Sequence, residues 1–230
     1  MKGGADIVEV GIPFSDPIAD GPVIQASSIR ALSHGATPSG ILDDVEELSS
    51  QYHVPFVILS YYNPILAMGT ERFLRKAHDR GVSGIVVPDL PVEEGEEFGH
   101  LASKHGIDGI RLAAPNTSPT RLRSIISQTK GFAYLVSLYG VTGPRDSLSP
   151  QALETVKIAK SIAKDRTPVA AGFGIARPEH VSSLLDAGAD GAIVGSALVK
   201  IVTQHAQQSS SAEKDLEAAV RTLKQATLRH

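Results

Sequence analysis

The chain of 230 residues contains no cysteine. A disulfide framework, a thiolate nucleophile and a cysteine metal site are thereby excluded. Its eight histidines are scattered, without an HExxH or any other close ligand pair, so no metal site is expected. No apolar run approaches the roughly 20 residues of a membrane span. The opening MKGGADIVEV carries an acid early and does not read as a signal peptide. Charge of one sign is also lacking. The net charge of −3 leaves no electrostatic footprint for nucleic acid. What remains is an ordinary globular composition, 42% hydrophobic and 20% charged, long enough for one large α/β domain or two small ones. A cytoplasmic enzyme is the default class for such a chain.

One theme recurs along the sequence: a glycine, a short apolar strand, a loop, then a helix opened by proline or a small polar residue. The strands expected are Asp6–Val10, Pro55–Ser60, Gly84–Val87, Gly109–Ala113, Phe132–Val136, Pro168–Ala171 and Gly191–Val194. Each is apolar along most of its length, as a strand covered on both faces must be. Four strand entries resemble one another: GADIVEV, GVSGIVV, GIDGIRL and GADGAIV. Their leading glycines suit the left-handed conformation that ends a helix. Ser118–Pro119 and Ser149–Pro150 read as helix starts, and Arg177–Pro178–Glu179 resembles them. ERFLRKAHDR and PEHVSSLLDA have helical spacing.

Strands alternating with helices, without hairpin signals, imply a parallel sheet. Most strands lie about 25 residues apart, the length of a βα unit. No linker divides residues 1–230, so a single domain is expected. Seven units nearly complete a (β/α)8 barrel. The first strand is preceded only by MKGGA, whereas the later look-alikes follow amphipathic helices. The expectation is an α/β TIM barrel of seven parallel strands, lacking its first βα unit, with the Glu9 strand and the last strand at open edges. Apolar edges of that kind invite aggregation or partner binding.

The chemistry concentrates in IVEVGIPFSDPIADGP, residues 7–22. Glu9 is a lone acid on an apolar strand, costly to bury unless its pKa shifts or a partner holds it. Asp16 and Asp20 follow in a loop stiffened by Pro13, Pro17 and Pro22. Glu9 could equally form a structural ion pair, and Asp20 an Asx-turn with Gly21. Together, a strand acid and a loop acid on one unit suit general acid–base work. On the last two units, GFGIARPEH and GADGAIVGSALVKI bring Gly172, Gly174 and Gly195 near helix starts, with Ser196 opening one helix. Bare backbone N–H groups at helix N-termini attract phosphate, and barrel phosphate sites use these late loops. YGVTGPRDS, with Gly140, Thr142 and Gly143, reads either as a mobile lid or as a surface connection. In SYYNPI, Tyr61, Tyr62 and Asn63 either line a pocket or pack at the rim. Asp89 of PDLPVEE either positions a catalytic group or caps the following helix.

These runs, read together, resemble the α subunit of tryptophan synthase. VEVGIPFSDPIADGPVIQ, SYYNPI, VPDLPVEE, YGVTG, GFGI and VGSALVKI are collinear with that family from Gly4 to about Ile201. The resemblance implies a TIM barrel that cleaves indole-3-glycerol phosphate to indole and glyceraldehyde 3-phosphate by a retro-aldol reaction. It places the catalytic Glu at Glu9, as proton shuttle, and the catalytic Asp at Asp20, holding the indole N–H. Substrate-binding positions fall on Tyr61, Tyr134, Thr142, Gly143, Gly174, Gly195 and Ser196. Pro13 and Asp16 fall in the region that contacts a β subunit in an α2β2 assembly. No cofactor is implied for this half-reaction; pyridoxal phosphate is expected only on the β subunit. The family begins roughly one βα unit and a short helix earlier. Leu138 stands where the family's lid often has Arg. Two other functions stay open: a truncated barrel that only binds a β subunit, and a free-standing lyase.

Overall fold

The computed structural model describes residues 1–136, 147–164, 166–205 and 209–228. Strand and helix alternate along it. The first half runs β1 (Val8–Gly11), α1 (Pro22–Ser33), α2 (Pro38–Gln51), β2 (Phe56–Leu59), α3 (Tyr62–Met68), α4 (Thr70–Asp79), β3 (Val82–Val86), α5 (Glu96–Lys104) and β4 (Asp108–Ile110). The second runs β5 (Leu112–Ala113), α6 (Pro119–Gln128), β6 (Ala133–Val136), α7 (Pro150–Ala163), β7 (Val169–Gly172), α8 (Pro178–Asp186), β8 (Gly191–Ala192), α9 (Ser196–Gln204) and α10 (Ser209–Thr227).

All pairings are parallel, in the orders β1-β2-β3-β4 and β5-β6-β7-β8. β4 and β5 are one run of chain interrupted at Arg111. The Arg111 carbonyl still accepts the Tyr134 N–H at 3.0 Å, so the two sheets are continuous through this strand. The seven expected strands are therefore present in sequence order, with bounds shifted by one or two residues.

The local signals act as the residue types require. Gly4, Gly81, Gly106 and Gly188, which lead the four look-alike strand entries, all have φ between +72° and +99°. A side chain is strained there, and glycine is not. Ser118 and Ser149 accept the N–H of Arg121 and Ala152, and Pro119 and Pro150 follow at the first helical position. Thr37 caps α2 in the same way, through Gly40.

Side chains alternate between two environments. Phe56 and Ile58 of β2, and Ala133 and Leu135 of β6, pack under the helices. Val57, Val86, Ile110 and Tyr134 meet inside the sheet's curve, with Leu59, Leu112, Phe132, Val136 and Ile193 beside them. Because β1 pairs with β2 at Glu9↔Val57, Glu9 shares the inner face with Val57. Val8 and Val10 pack toward the helices.

No backbone pairing joins β1 to β8 among the described residues. The helical layer comes together where the sheet does not. α1 packs on α9, with Arg30 donating to Thr203 Oγ1 at 3.1 Å. Lys224 of α10 grips Asp6 at 2.7 Å, and Lys2 reaches Glu213 at 2.6 Å. Between β1 and β8 lies an open cleft, which leaves Ile7 45% exposed.

Candidate active site

The cleft is a cavity of about 2200 Å³ that runs into the interior of the sheet. Glu9, Asp20, Tyr134, Gly174, Gly195 and Ser196 all line it. Residues from β1, its loop, β6 and the two late loops are thus brought to one space. In parallel α/β folds the loops that follow the strands gather at their C-terminal ends, and ligands bind there.

Glu9 projects from β1 into the inner apolar face. Glu9 is exposed to solvent through the cleft, while the sheet's inner face and the Asp20 loop crowd its carboxyl. That desolvation, with the like charge of Asp20 adding to it, pushes its carboxyl up to about 7. Asp20 is half-buried, and burial raises it too; the Tyr61 hydroxyl counters by donating to its carboxylate. The Tyr134 phenol is pushed well above its ordinary range by burial first, then by the charges of Glu9 and Asp20. The three groups therefore share one electrostatic environment.

The Asp20 loop is held at several points. Ile18 N–H donates to the Asp16 carbonyl at 2.9 Å and Asp20 N–H to the Pro17 carbonyl at 3.1 Å. Gln25 of α1 donates to the Asp20 carbonyl at 2.9 Å. Among the described residues the Asp20 side chain makes no Asx-turn, and the Tyr61 phenol beside it lowers its pKa against the effect of burial. Tyr61 is buried and does not line the cavity. It stands behind the loop: its hydroxyl accepts the Ala19 N–H at 2.8 Å, and its ring lies 5.4 Å from that of Phe14.

At the other side of the cavity, Gly174 has φ +74°, and a Cβ there or at Gly195 would meet nothing within 4 Å. Both backbones border open space. Gly195 is the residue before α9, and Ser196 is its first residue, so unpaired N–H groups of the first turn adjoin the cavity. Gly172 does something different. A Cβ on it would come within 3.3 Å of Tyr134 Cε2, so its lack of a side chain makes room for the tyrosine. His180 of α8 is buried, and its Nδ1 accepts the Ala176 N–H of the same loop at 3.4 Å.

Asp16 is exposed at the tip of the β1–α1 loop, beside Ile18, which is 68% exposed; Pro13 is buried and lines the cleft. Tyr62 packs edge-on against Phe98, and Asn63 is exposed. Thr142 and Gly143, with Gly140 and Leu138, lie outside the described residues. Asp89 caps a helix, but not the one that follows it. Its Oδ1 accepts the Tyr62 N–H at 2.9 Å, at the start of α3 on the neighbouring unit. Sequence reasoning missed Arg111. This cation is buried under α5, with Nε unpartnered and a terminal nitrogen donating to the Gly95 carbonyl. The only hint of it was one charged residue in the apolar run GIRLAA.

A curved parallel sheet wrapped by helices, with acids and glycine loops around one interior cavity, defines a protein of the (β/α)-barrel class. Comparisons narrow the class. The family model for the tryptophan synthase alpha chain matches residues 1–228. The tryptophan synthase alpha chain of Methanoregula boonei is 46% identical over 226 residues, covering 98% of this chain and 84% of that protein. That of Carboxydothermus hydrogenoformans is 46% identical over 224 residues, 96% of this chain and 83% of its own length. The solved α subunit of Pyrococcus furiosus superposes with a TM-score of 0.86 at 45% identity, covering 94% of this chain and 85% of that one. A chain in the P. furiosus tryptophan synthase complex matches with the same TM-score at 44% identity. The chain belongs to the tryptophan synthase alpha chain family.

Proposed function

We propose that this chain is a carbon–carbon lyase, the α subunit of a tryptophan synthase, cleaving indole-3-glycerol phosphate to indole and glyceraldehyde 3-phosphate. The observation that carries the proposal is the pair Glu9 and Asp20 over one cavity, with Glu9 raised to about 7. A group with that pKa exists in both protonation states near neutrality, as a proton shuttle must.

In this reading the chain's residues divide the work. Protonated Glu9 gives its proton to C3 of the indole ring, which becomes an electron-poor indolenine. The resulting carboxylate takes the proton of the side-chain hydroxyl as the C–C bond breaks. The bond's electron pair returns to the ring, indole and an aldehyde form, and Glu9 ends protonated as it began. Asp20, ionised, accepts a hydrogen bond from the indole N–H and stabilises the cationic ring. Tyr61 orients Asp20, and Tyr134 forms the inner wall. Gly174, Gly195 and the first turn of α9 from Ser196 receive the phosphate, with Gly143 and the lid residue Thr142 completing the site. No cofactor takes part in this half-reaction.

Asp16 and Ile18, exposed on the loop that carries Asp20, are the side offered to a β subunit, and Pro13 of the same loop is buried and lines the cleft. Pyridoxal phosphate would reside on that partner, in an α2β2 assembly of the cytoplasm. No helix among the described residues is long and apolar enough to cross a membrane.

The test is steady-state indole release from indole-3-glycerol phosphate, with and without a β subunit. Release stimulated by the β subunit is expected, and Glu9→Gln should lower it by at least about 100-fold. A Glu9→Gln variant within tenfold of the parent removes Glu9 from the chemistry. Binding of the β subunit without any indole release would make the chain a docking partner only.

A further inference from the structure

Asp89 is a charged group at the end of β3 to which the mechanism above gives no task. It does not line the cavity, so it does not reach substrate. Its Oδ1 accepts the Tyr62 N–H at 2.9 Å. Tyr62 is the first residue of α3, and the preceding residue, Tyr61, supplies no side-chain cap of its own. The donor that a helix start leaves unpaired is therefore satisfied from the next βα unit rather than from its own sequence.

The peptide link between Tyr61 and Tyr62 is held on both sides. Ser60 Oγ donates to the Tyr61 carbonyl at 2.9 Å, and Asp89 accepts from the Tyr62 amide. Ser60 N–H in turn donates to the Val86 carbonyl at 3.0 Å, so this turn is fastened to β3 by backbone and by side chain. Tyr61 emerges from that clamp, and its hydroxyl takes the N–H of Ala19, the residue before Asp20, at 2.8 Å, while favouring the ionised form of Asp20. A connected path of hydrogen bonds runs from Asp89 through one peptide and one phenol to the backbone N–H of Ala19, next to Asp20, and the same phenol lowers the Asp20 carboxyl's pKa. Displacing the peptide swings the phenol, because the ring is rigid and buried and has no freedom to compensate.

We infer that Asp89 is a positioning residue for the lyase reaction, setting the Asp20 carboxylate through the clamped Tyr61 peptide. The inference rests on the function proposed above for Asp20. It assigns the acid after β3 to the neighbouring catalytic loop rather than to α5, whose start at Gly95 has no side-chain cap.

The experiment is a variant cycle read in two ways. Asp89→Asn and Asp89→Ala remove the same charge, but only Asn keeps an oxygen facing the Tyr62 N–H. The difference between them therefore reports the hydrogen bond and not the charge. Indole release by the complex with β subunit should fall about tenfold in kcat for Asp89→Ala, with KM little changed, and stay within about twofold for Asp89→Asn. In a Tyr61→Phe background the gap between the two should close. Separately, carboxylate NMR should place the Asp20 midpoint about half a pH unit higher in Asp89→Ala than in Asp89→Asn. If Asp89→Ala does not fold, Asp89→Ser, whose side chain stops short of Tyr62, replaces it. An equal Asp20 midpoint in the two variants overturns the inference, as does an Ala–Asn gap that persists in the Tyr61→Phe background. A parent chain that releases no indole refutes the proposed function instead, and the NMR comparison still decides the positioning role.

Discussion

Replacing Tyr61 by Phe removes one oxygen and leaves the packing in place, so it isolates the link between the second unit and the catalytic loop. The ring stays against Phe14, 5.4 Å away, in a site where Tyr61 is 2% exposed. Two interactions of the hydroxyl are lost. The Ala19 N–H loses its acceptor at 2.8 Å, a part-buried contact worth about 1 kcal/mol. The Asp20 carboxylate loses a donor that selectively stabilises its ionised form. Bonds to a charged group contribute about 1.5–3 kcal/mol, and Asp20 is half-buried, so solvent screening favours the lower end. Since 1.36 kcal/mol corresponds to one pKa unit, the Asp20 midpoint should rise by about one unit above its already elevated value. At neutral pH the unfolding free energy should drop by about 2.5 kcal/mol, about 1 from the Ala19 bond and about 1.5 from ionised Asp20. The assay is carboxylate NMR with Asp20 assigned by Asp20→Asn, alongside urea unfolding and indole release, which should slow about tenfold. An unmoved Asp20 midpoint in a folded Tyr61→Phe protein would refute the link. A stability loss above about 4 kcal/mol would show that the hydroxyl serves the fold more than the site.

The raised carboxyl of Glu9 carries two consequences with pH. A shuttle that must enter the cycle protonated loses activity as pH rises through about 7, so a rate flat between pH 6 and 8 would contradict the assignment. For stability, the folded chain holds a proton on Glu9 between the ordinary 4.5 and about 7 that the unfolded chain has released. Stability from this group is thus full below about 4.5 and declines as pH rises through 7. Urea midpoints measured across that range should decline less steeply in Glu9→Gln. At the far end of the sheet, Asp190 accepts from Lys160 at 2.6 and 2.8 Å and from the Val169 N–H at 2.8 Å, tying β7 to α7. Asp190→Ala should cost about 2 kcal/mol, mostly through the orphaned Val169 N–H, because the ion pair itself is partly exposed. Chemical denaturation measures it, and a loss under 0.5 kcal/mol (about a third of one ordinary hydrogen bond's upper range) would mean that water replaces the carboxylate.

The strand–helix alternation was legible because its signals are local. Glycines with positive φ end helices at Gly81 and Gly106, and Ser–Pro pairs begin them at 118 and 149, whatever the rest of the chain does. Apolar runs marked strands covered on both faces. The acids at 9 and 20 were legible as candidates for the same reason: a charge in or beside an apolar run stands out. Their motif carried the resemblance to the family, and the comparisons bore that out. The late glycine loops were legible as turns at helix starts, but not their division of labour. All three line the cavity, but a Cβ at Gly174 or Gly195 would meet open space, whereas one at Gly172 would meet Tyr134.

Partnership across units was another matter. The sequence by itself determined the order of elements, the parallel connection and the residue types offered to the site, since each depends on neighbours a few positions away. Only the tertiary structure decided that Asp89 caps α3 instead of α5, and that Tyr61 stands behind Asp20 and not in the cavity. It also decided that Glu9 faces the interior beside Tyr134 while solvent still reaches it from the cleft between β1 and β8. Those facts follow from strand register and sheet curvature. Both are set by the packing of the whole barrel, which brings residues tens of positions apart within hydrogen-bond reach.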